Sequence, residues 1–93
     1  MIRSFKCAYT EELSKGYRVK RFVNIIKIAR RKLRQLEIAN RLDDLRVPPG
    51  NHLEALKGDR SGQYSIRIND QWRICFNWIN HKAENVEIVD YHG

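Results

Sequence analysis

The sequence has little of what marks exported, disulfide-stabilised or membrane-spanning proteins. Among its 93 residues there are only two cysteines and two prolines. No stretch approaches the roughly 18 consecutive apolar residues of a membrane span. The N-terminus reaches a charged residue at Arg3 and has no apolar segment of a secretory signal. We therefore expect a cytoplasmic protein, without membrane association, in which Cys7 and Cys75 stay reduced.

The patterns that usually hold metals, nucleotides or activated nucleophiles are also missing. The three histidines (His52, His81 and His92) and the two cysteines do not have zinc-ligand spacing. The chain contains no glycine-rich phosphate loop and no nucleophile elbow. We therefore expect no metal ion and no cofactor, so that any catalysis would use side chains alone.

Acidic residues are scarce where basic residues are dense. The formal net charge is +7, and ten of the eighteen lysines and arginines lie between Arg18 and Arg46, where only three acids occur. Charge concentrated in this way favours a polyanionic partner or an acidic protein partner.

Hydrophobic periodicity predicts a single α+β domain covering residues 1–93. Alternation at residues 2–7 predicts a short first strand, and Thr10 is the predicted N-cap of the short helix that follows. An apolar stripe at helical spacing predicts a long helix over residues 20–40. A further short helix is expected over residues 42–45, ended by the two prolines.

After a loop at residues 47–62 the period changes to two. Strands are predicted at residues 63–68 and 72–79, followed by a last strand at residues 85–91. The last strand has consecutive apolar residues and is therefore expected to be central. The predicted fold is a small antiparallel sheet, made of the first strand and the three C-terminal strands, packed against two or three helices.

Register in the predicted hairpin places two arginines opposite each other. A three-residue loop at residues 69–71 makes one face of the hairpin wholly apolar, which is what register selection requires. Arg67 and Arg73 then oppose each other on the second face, although opposed like charges destabilise a sheet. The ordinary interpretation is a solvated face. The functional one is a concave cationic surface suited to a single RNA strand.

The chain ends with an acid, a phenol and an imidazole: Asp90, Tyr91 and His92. Together with Lys57 and Arg73 they contain the groups needed to cleave RNA, namely a proton carrier and cations that stabilise charge on the phosphate. Ordinary interpretations stay open beside this one. The histidine can be merely exposed, the tyrosine can be a core phenol and the lysine a solvated turn residue.

The chain resembles the HigB group of the RelE/ParE toxin superfamily over nearly its whole length. The resemblance is carried by MIRSFKC at the start, LEALKGDRSGQYSIRINDQWRICF in the middle and VEIVDYH at the end. Two positions depart from the pattern of some relatives: Glu54 stands where they have a histidine, and Gln71 stands where they have an asparagine.

The resemblance implies a RelE-like fold and a toxin that enters the ribosomal A site and cuts mRNA without a metal. Carried over by motif, the implied catalytic residues are Lys57, Arg73, Asp90, Tyr91 and His92. His92 would be the acid/base residue, whereas Arg73 and Lys57 would stabilise the transition state.

The resemblance also implies a HigA-like antitoxin partner, which reaches operator DNA only as the toxin–antitoxin complex. A basic ridge on the long helix is expected to contact ribosomal RNA through its phosphates. The predicted RNA- and ribosome-binding residues are Lys27, Arg30, Arg31, Arg34, Arg60 and Arg67. The antitoxin could bind at this ridge or beside the active site, and the sequence leaves both open.

Two other functions remain as alternatives. A ParE-like toxin would inhibit DNA gyrase by protein contact and would leave mRNA intact. A noncatalytic RNA-binding module would use only the basic ridge and the arginine face, and would not arrest growth.

Overall fold

Two helices and a four-stranded antiparallel sheet make up the computed structural model, which describes residues 1–91. The helices are α1 (Ala8–Ser14) and α2 (Ile26–Ile38), and the strands are β1 (Glu54–Ala55), β2 (Tyr64–Arg67), β3 (Trp72–Ile79) and β4 (Lys82–Asp90). Short 3-10 helices lie at Lys20–Phe22, Leu42–Arg46, Pro49–Asn51 and Gly58–Arg60. The strands are ordered β1-β2-β3-β4, and the predicted α+β class is confirmed. None of the helical segments within residues 1–91 is long and apolar enough to cross a membrane.

The hairpin of β2 and β3 has the predicted register. Arg67 faces Arg73, and the three-residue loop between the strands is closed by a side chain. The Asn69 side-chain oxygen accepts hydrogen bonds, both 2.8 Å long, from the backbone N–H groups of Gln71 and Trp72. This Asx-type turn fixes the loop length, and the loop length fixes which side chains face the helices.

One face of the sheet packs against α2. The buried residues of α2 share one helical face and those of the sheet alternate along β2 and β3; they are Ala29, Leu33, Leu36, Ile66, Ile74 and Phe76. At the edge of this core the rings of Phe22 and Trp72 meet edge to face, with centroids 5.5 Å apart. The predicted apolar stripe is therefore confirmed as the surface that meets the sheet.

The predicted long helix is divided into two pieces. A 3-10 turn ends at Phe22, and α2 begins only at Ile26. Val23 and Ile25 are β-branched and Asn24 competes for backbone hydrogen bonds, so all three disfavour a continuous helix. Phe22 and Ile25 are both buried on either side of this break.

The predicted first strand is replaced by two isolated parallel bridges to β4. Ile2 bridges to Ala83 and Phe5 to Val86, and the intervening residues make no ladder. Between these two positions β4 bulges at Asn85, which has a positive φ of 55°. Because the bulge interrupts the regular spacing of β4, a segment paired along it cannot continue as an ordinary strand.

Thr10 is not the N-cap of α1. The helix begins earlier, at Ala8, and Cys7 occupies the cap position without a side-chain cap bond. Thr10 is fully buried, and its hydroxyl oxygen accepts a 3.0 Å hydrogen bond from the backbone N–H of Ile88. The threonine therefore satisfies a buried amide of β4 and ties α1 to that strand.

The last strand lies at the edge of the four-stranded sheet, and the prediction that it is central was wrong. β3 lies between β2 and β4. The consecutive apolar residues of β4 have another cause. Ile88 faces the helices and is 6% exposed, whereas Val89 pairs with Arg73 on the opposite face and is half-buried.

Replacing Ile74 with alanine tests this packing. Ile74 is fully buried and pairs with both Ile66 and Ile88, so its loss should lower the free energy of unfolding by about 2–5 kcal/mol. The matched control is Ile79→Ala on the same strand, where the side chain is 45% exposed and the expected loss is below about 1 kcal/mol. Urea unfolding measures both, and equal losses would contradict the described core.

Candidate active site on the polar face of the sheet

The face of the sheet opposite α2 carries the predicted cationic cluster. We call it the polar face; its strand residues are Ser65, Arg67, Arg73, Cys75, Glu87 and Val89. It is more covered than the sequence predicts, because Ser65 and Cys75 are fully buried. Groups from residues 52–63 and from Tyr91 reach across it.

Arg73 is held by groups from three directions. Its Nε donates to the Ser65 hydroxyl at 2.8 Å, and one terminal nitrogen, Nη2, donates to the His52 carbonyl at 2.7 Å. The same nitrogen lies 3.2 Å from a Glu54 carboxylate oxygen, and the side chain is only 12% exposed. The Tyr91 ring centroid is 6.0 Å from the guanidinium carbon. The second terminal nitrogen, Nη1, has no hydrogen bond within residues 1–91.

The opposition of Arg67 and Arg73 is resolved by separate acids. Arg67 makes a close ion pair with Asp70 in the hairpin loop, whereas Arg73 pairs with Glu54 on β1. Neither plain solvation nor an anion shared between the two arginines is needed. Each guanidinium is drawn toward its own carboxylate, which reduces the repulsion between directly opposed like charges.

Arg60 is neutralised on the polar face. Its guanidinium lies 3.0 Å from a Glu87 carboxylate oxygen and donates to the Gln63 side-chain oxygen at 3.0 Å. Burial acts to lower the pKa of Arg60, but the bond to Glu87 and the neighbouring Cys75 and Tyr91 outweigh it and raise that pKa above its usual value. Arg60 therefore stays charged, with its charge matched by Glu87.

Cys75 and Tyr91 contact each other on the polar face. The thiol sulfur is 3.7 Å from the phenol oxygen. Burial raises the pKa of the Cys75 thiol, an effect only partly offset by the Tyr91 hydroxyl and the arginines. Burial also raises the pKa of Tyr91, as does its bond to Cys75, against the lowering effect of Arg60 and Arg73. At neutral pH both groups keep their protons, so Tyr91 can donate a hydrogen bond but cannot act as a phenolate base.

The C-terminal acid lies on the other side of β4. Asp90 pairs with Trp72, whose ring packs on Phe22, so the strand directs Asp90 toward the helix-facing side while Tyr91 meets Arg73 on the polar face. The Gln71 side-chain nitrogen donates to the Asp90 carboxylate at 3.1 Å. The structure thus brings Arg73 and Tyr91 together and places Asp90 with Gln71. His92 lies outside the described residues.

Lys57 is exposed in the segment between β1 and β2. It precedes the Gly58–Arg60 turn and makes no ion pair within the part of the chain that the structure describes. It therefore differs from Arg60, Arg67 and Arg73, each of which has a carboxylate partner. Lys57 is therefore the more exposed of the two predicted catalytic cations, since the Arg73 side chain is only 12% exposed.

A buried asparagine that the sequence analysis missed anchors the loop beside Arg73. Asn51 is fully buried. Its amide nitrogen donates to Gln35 and to the Leu45 carbonyl, both at 3.0 Å, and its amide oxygen accepts from the Lys32 ammonium at 2.6 Å. Nothing in the pattern PPGNH distinguishes this residue from an ordinary loop asparagine.

The loop that Asn51 anchors supplies one of the hydrogen-bond acceptors of Arg73. His52 follows directly, in the left-handed conformation with φ of 44°, and its carbonyl accepts from Arg73. A bond network thus runs from α2 through Asn51 to the guanidinium. Hydrogen bonds that fix the neighbours of a functional side chain also keep that side chain in its position.

The basic ridge on α2 is smaller than predicted. Lys27, Arg31 and Arg34 are exposed. Arg30 is instead half-buried and donates to the Leu13 carbonyl in the last turn of α1, at 3.3 Å, and to the Tyr17 carbonyl beyond it, at 2.9 Å. Among residues 1–91, no group of three or more His, Cys, Asp or Glu side chains is arranged to hold a metal ion.

The sequence matches a known protein family over most of its length. The family model of the RelE-like toxin of type II toxin–antitoxin system HigB matches residues 6–92. The chain belongs to this HigB-like toxin family. The match covers both Lys57 and the C-terminal Asp90–Tyr91–His92 group.

Three curated relatives are similar over part of the chain. Toxin HigB-1 of Vibrio cholerae is 47% identical over 55 residues, covering 59% of this chain and 58% of the relative. An uncharacterized protein of Haemophilus influenzae is 38% identical over 70 residues, 75% of this chain and 68% of the relative. Endoribonuclease HigB of Proteus vulgaris is 48% identical over 40 residues, covering 43% of this chain and 44% of the relative. The chain thus matches only about half the length of the two HigB proteins.

A solved structure shares the fold. The YoeB–YefM complex from Staphylococcus aureus contains a chain that aligns over 100% of this chain and 99% of its own length, with 20% identity and a TM-score of 0.58. At this identity the likeness shows the fold alone, which agrees with the RelE-like description of the family.

Replacing Asn51 with alanine should destabilise the protein by about 1–3 kcal/mol, because a buried carbonyl and the Lys32 ammonium lose their partner. The control is Asn24→Ala, an exposed asparagine between the 3-10 turn and α2, with an expected change within about 0.5 kcal/mol. Urea unfolding of both variants measures the difference. If Asn51→Ala lowers the free energy of unfolding no more than Asn24→Ala does, Asn51 does not anchor the loop.

The two thiols should react at different rates. Cys75 is fully buried and its raised pKa lowers the thiolate fraction, whereas Cys7 is only partly buried. With iodoacetamide at pH 8 we expect Cys75 to react roughly tenfold more slowly or slower still. Peptide mapping by mass spectrometry measures the two rates, and the difference should vanish in urea. Equal rates in the native protein would contradict the described environment of Cys75.

Proposed function

We propose that this HigB-like chain is a ribosome-dependent endoribonuclease that cuts mRNA in the A site, acts in the cytoplasm and needs no metal. The observation that carries the proposal is the guanidinium of Arg73, which is fixed through Nε and Nη2 and whose Nη1 has no hydrogen bond within residues 1–91. An N–H group of a charged guanidinium donates a strong hydrogen bond to a phosphate oxygen.

Strand cleavage needs two proton transfers and stabilisation of charge. The 2′-oxygen of the ribose attacks the adjacent phosphorus, the bond from phosphorus to the 5′-oxygen breaks, and a 2′,3′-cyclic phosphate and a 5′-hydroxyl form. One proton leaves the 2′-hydroxyl and one reaches the 5′-oxygen. Negative charge grows on the non-bridging oxygens between these events, where preorganised cations are most effective.

The predicted catalytic residues divide these tasks. Arg73 and the exposed Lys57 would hold the phosphate, and Tyr91, protonated at neutral pH, would donate a hydrogen bond beside them. We assign proton transfer to His92, with Asp90 orienting its imidazole, on the strength of the sequence motif alone. Glu54 limits the site, because its carboxylate competes with a phosphate for Arg73.

Ribosome contact is assigned to the exposed cations outside this centre. Lys27, Arg31 and Arg34 on α2 have no ion pairs within residues 1–91 and would bind ribosomal phosphates without reading sequence. Arg60 and Arg67 would bind ribosomal phosphates more weakly than these exposed residues, since each is already paired with an acid. Association with ribosomes should therefore weaken as salt rises.

A HigA-like antitoxin is the proposed protein partner. The family description names a type II toxin–antitoxin system, and the aligned Staphylococcus aureus structure is a complex of two proteins, YoeB and YefM. Operator DNA would be bound only by the toxin–antitoxin complex.

Lys57→Ala should lower mRNA cleavage on translating ribosomes by about 10²- to 10³-fold, the usual loss for one preorganised charge-stabilising group. Primer extension on a reporter mRNA in a purified translation system measures it. The control is Lys15→Ala, an exposed lysine directly after α1 that pairs with Glu11; cleavage by this variant should stay within about twofold of the wild type.

Three results would contradict the proposal. Unchanged cleavage by Lys57→Ala would remove that residue from the site. Intact mRNA together with DNA damage in growing cells would support gyrase inhibition instead. Salt-sensitive RNA binding without cleavage would support a noncatalytic RNA-binding module.

A further inference from the structure

An exposed tyrosine and an exposed arginine contact each other outside the polar face. Tyr9 lies on α1, and the guanidinium carbon of Arg21, in the Lys20–Phe22 turn, is 5.8 Å from the centre of the tyrosine ring. We call this pair the Tyr9–Arg21 platform. Attraction between a cation and the face of an aromatic ring orients both groups, and the exposed half of Tyr9 stays open to a partner. A single exposed tyrosine is ordinary, so the surroundings of this one decide whether it forms a site.

The tyrosine is tied to the end of β4 by the residue that follows it. The Thr10 hydroxyl is buried and accepts the backbone N–H of Ile88 at 3.0 Å. Ile88 lies two residues before Asp90, the last residue of β4. Tyr9 therefore stands at the solvent side of the contact between α1 and the end of this strand.

The arginine is tied to the same end of the sheet by Phe22, the residue that follows it. The rings of Phe22 and Trp72 meet edge to face, with centroids 5.5 Å apart, and Trp72 pairs with Asp90. Two independent contacts thus hold the platform on the helix-facing side of the strand end, where Asp90 lies. The next residue, Tyr91, reaches Arg73 on the polar face.

The charge around the platform is positive. Residues 15–36 contain no acid. Arg18 and Lys20 are exposed, as Arg21 is, and none of these three cations makes an ion pair within residues 1–91. An aromatic ring beside unpaired cations matches the chemistry of a nucleotide, because the base stacks on the ring and the phosphate binds the cations.

We propose that the Tyr9–Arg21 platform binds one unpaired nucleotide of an RNA strand, adjacent to the phosphate held by Arg73. The base would stack on Tyr9, and its phosphate would bind Arg21 and Lys20. The platform and Arg73 lie on opposite sides of the end of β4, so a strand that occupies both must pass that end, where the sequence continues into His92. That the strand is mRNA rests on the proposed function, whereas stacking of a base on the platform does not.

Position favours RNA over an acidic protein segment, which the same cations would attract. The platform adjoins the strand end that carries three of the predicted catalytic residues, Asp90, Tyr91 and His92. An RNA strand cleaved there extends past the phosphate at Arg73, and its neighbouring nucleotide needs a surface such as this one. Carboxylates of a protein would use the cations and leave the ring of Tyr9 without a stacking partner.

The test measures the binding of two fluorescein-labelled strands to the whole chain by fluorescence anisotropy, without ribosomes. One strand is a short oligoadenylate, and the other is a ribose–phosphate strand of the same length without bases. Both carry 2′-O-methyl groups, which remove the nucleophile and prevent cleavage. Tyr9→Ala should raise the Kd of the oligoadenylate by roughly tenfold, as expected for the loss of one stacked base, and leave that of the base-free strand within about twofold.

Three further variants separate stacking from charge and from misfolding. Tyr9→Trp keeps an aromatic face and should retain the affinity for oligoadenylate. Tyr9→Leu keeps apolar bulk without an aromatic face, so it should lose as much as Tyr9→Ala and decides the question if the alanine variant does not fold. Tyr17→Ala, the same change at an exposed tyrosine outside the platform, should stay within about twofold. Thermal unfolding checks that each variant folds.

Five results would overturn the inference: no binding of either strand at low salt, equal losses on both strands in Tyr9→Ala, full affinity in Tyr9→Leu, loss of affinity in Tyr9→Trp, or an equal loss in Tyr17→Ala. Unchanged RNA binding by Tyr9→Ala, with weaker binding of the HigA-like protein, would identify the platform as a protein contact instead. Failure of the proposed function would look different, since the wild-type chain would leave mRNA intact on ribosomes and still bind oligoadenylate through Tyr9.

Discussion

The guanidinium of Arg73 is the group on which the organisation of the polar face depends. It faces a second arginine across the hairpin and its side chain is only 12% exposed. A charge in that position is tolerated only when it is paired and hydrogen-bonded, because desolvating an ion costs several kcal/mol. Ser65, the His52 carbonyl and Glu54 provide those partners, so β2, β1 and the loop before β1 must all be in place around β3.

This requirement connects the site to the core. The loop that carries His52 is fixed by Asn51, whose partners lie on α2 and in the following 3-10 helix. The same helix packs its apolar face on the sheet that carries Arg73. Helix, loop and strand therefore position the guanidinium together.

Features that depend on local periodicity could be predicted from the sequence. Contacts between segments that are distant in the chain could not. The hairpin register followed from one rule, that a buried face must be wholly apolar, and the opposition of Arg67 and Arg73 followed from the register. Glu54, which pairs with Arg73, could not be foreseen because β1–β2 pairing brings it there, whereas Asp70 is a local partner of Arg67 in the hairpin loop. Thr10 was misread because its buried hydroxyl serves a strand 78 residues away rather than its own helix. Asn51 was missed for the same reason, and the bulge at Asn85 is what breaks the predicted first strand.

The most direct test of this account is hydrogen exchange at the Nε–H of Arg73, measured by NMR on the ¹⁵N-labelled protein at neutral pH. If Ser65, His52 and Glu54 hold the guanidinium as described, this proton should exchange at least about tenfold more slowly than that of the exposed Arg31. Ser65→Ala, which removes its acceptor, should bring the rate close to that of Arg31. An exchange rate equal to that of Arg31 in the unmodified protein would show that Arg73 is not fixed, and would contradict the central claim.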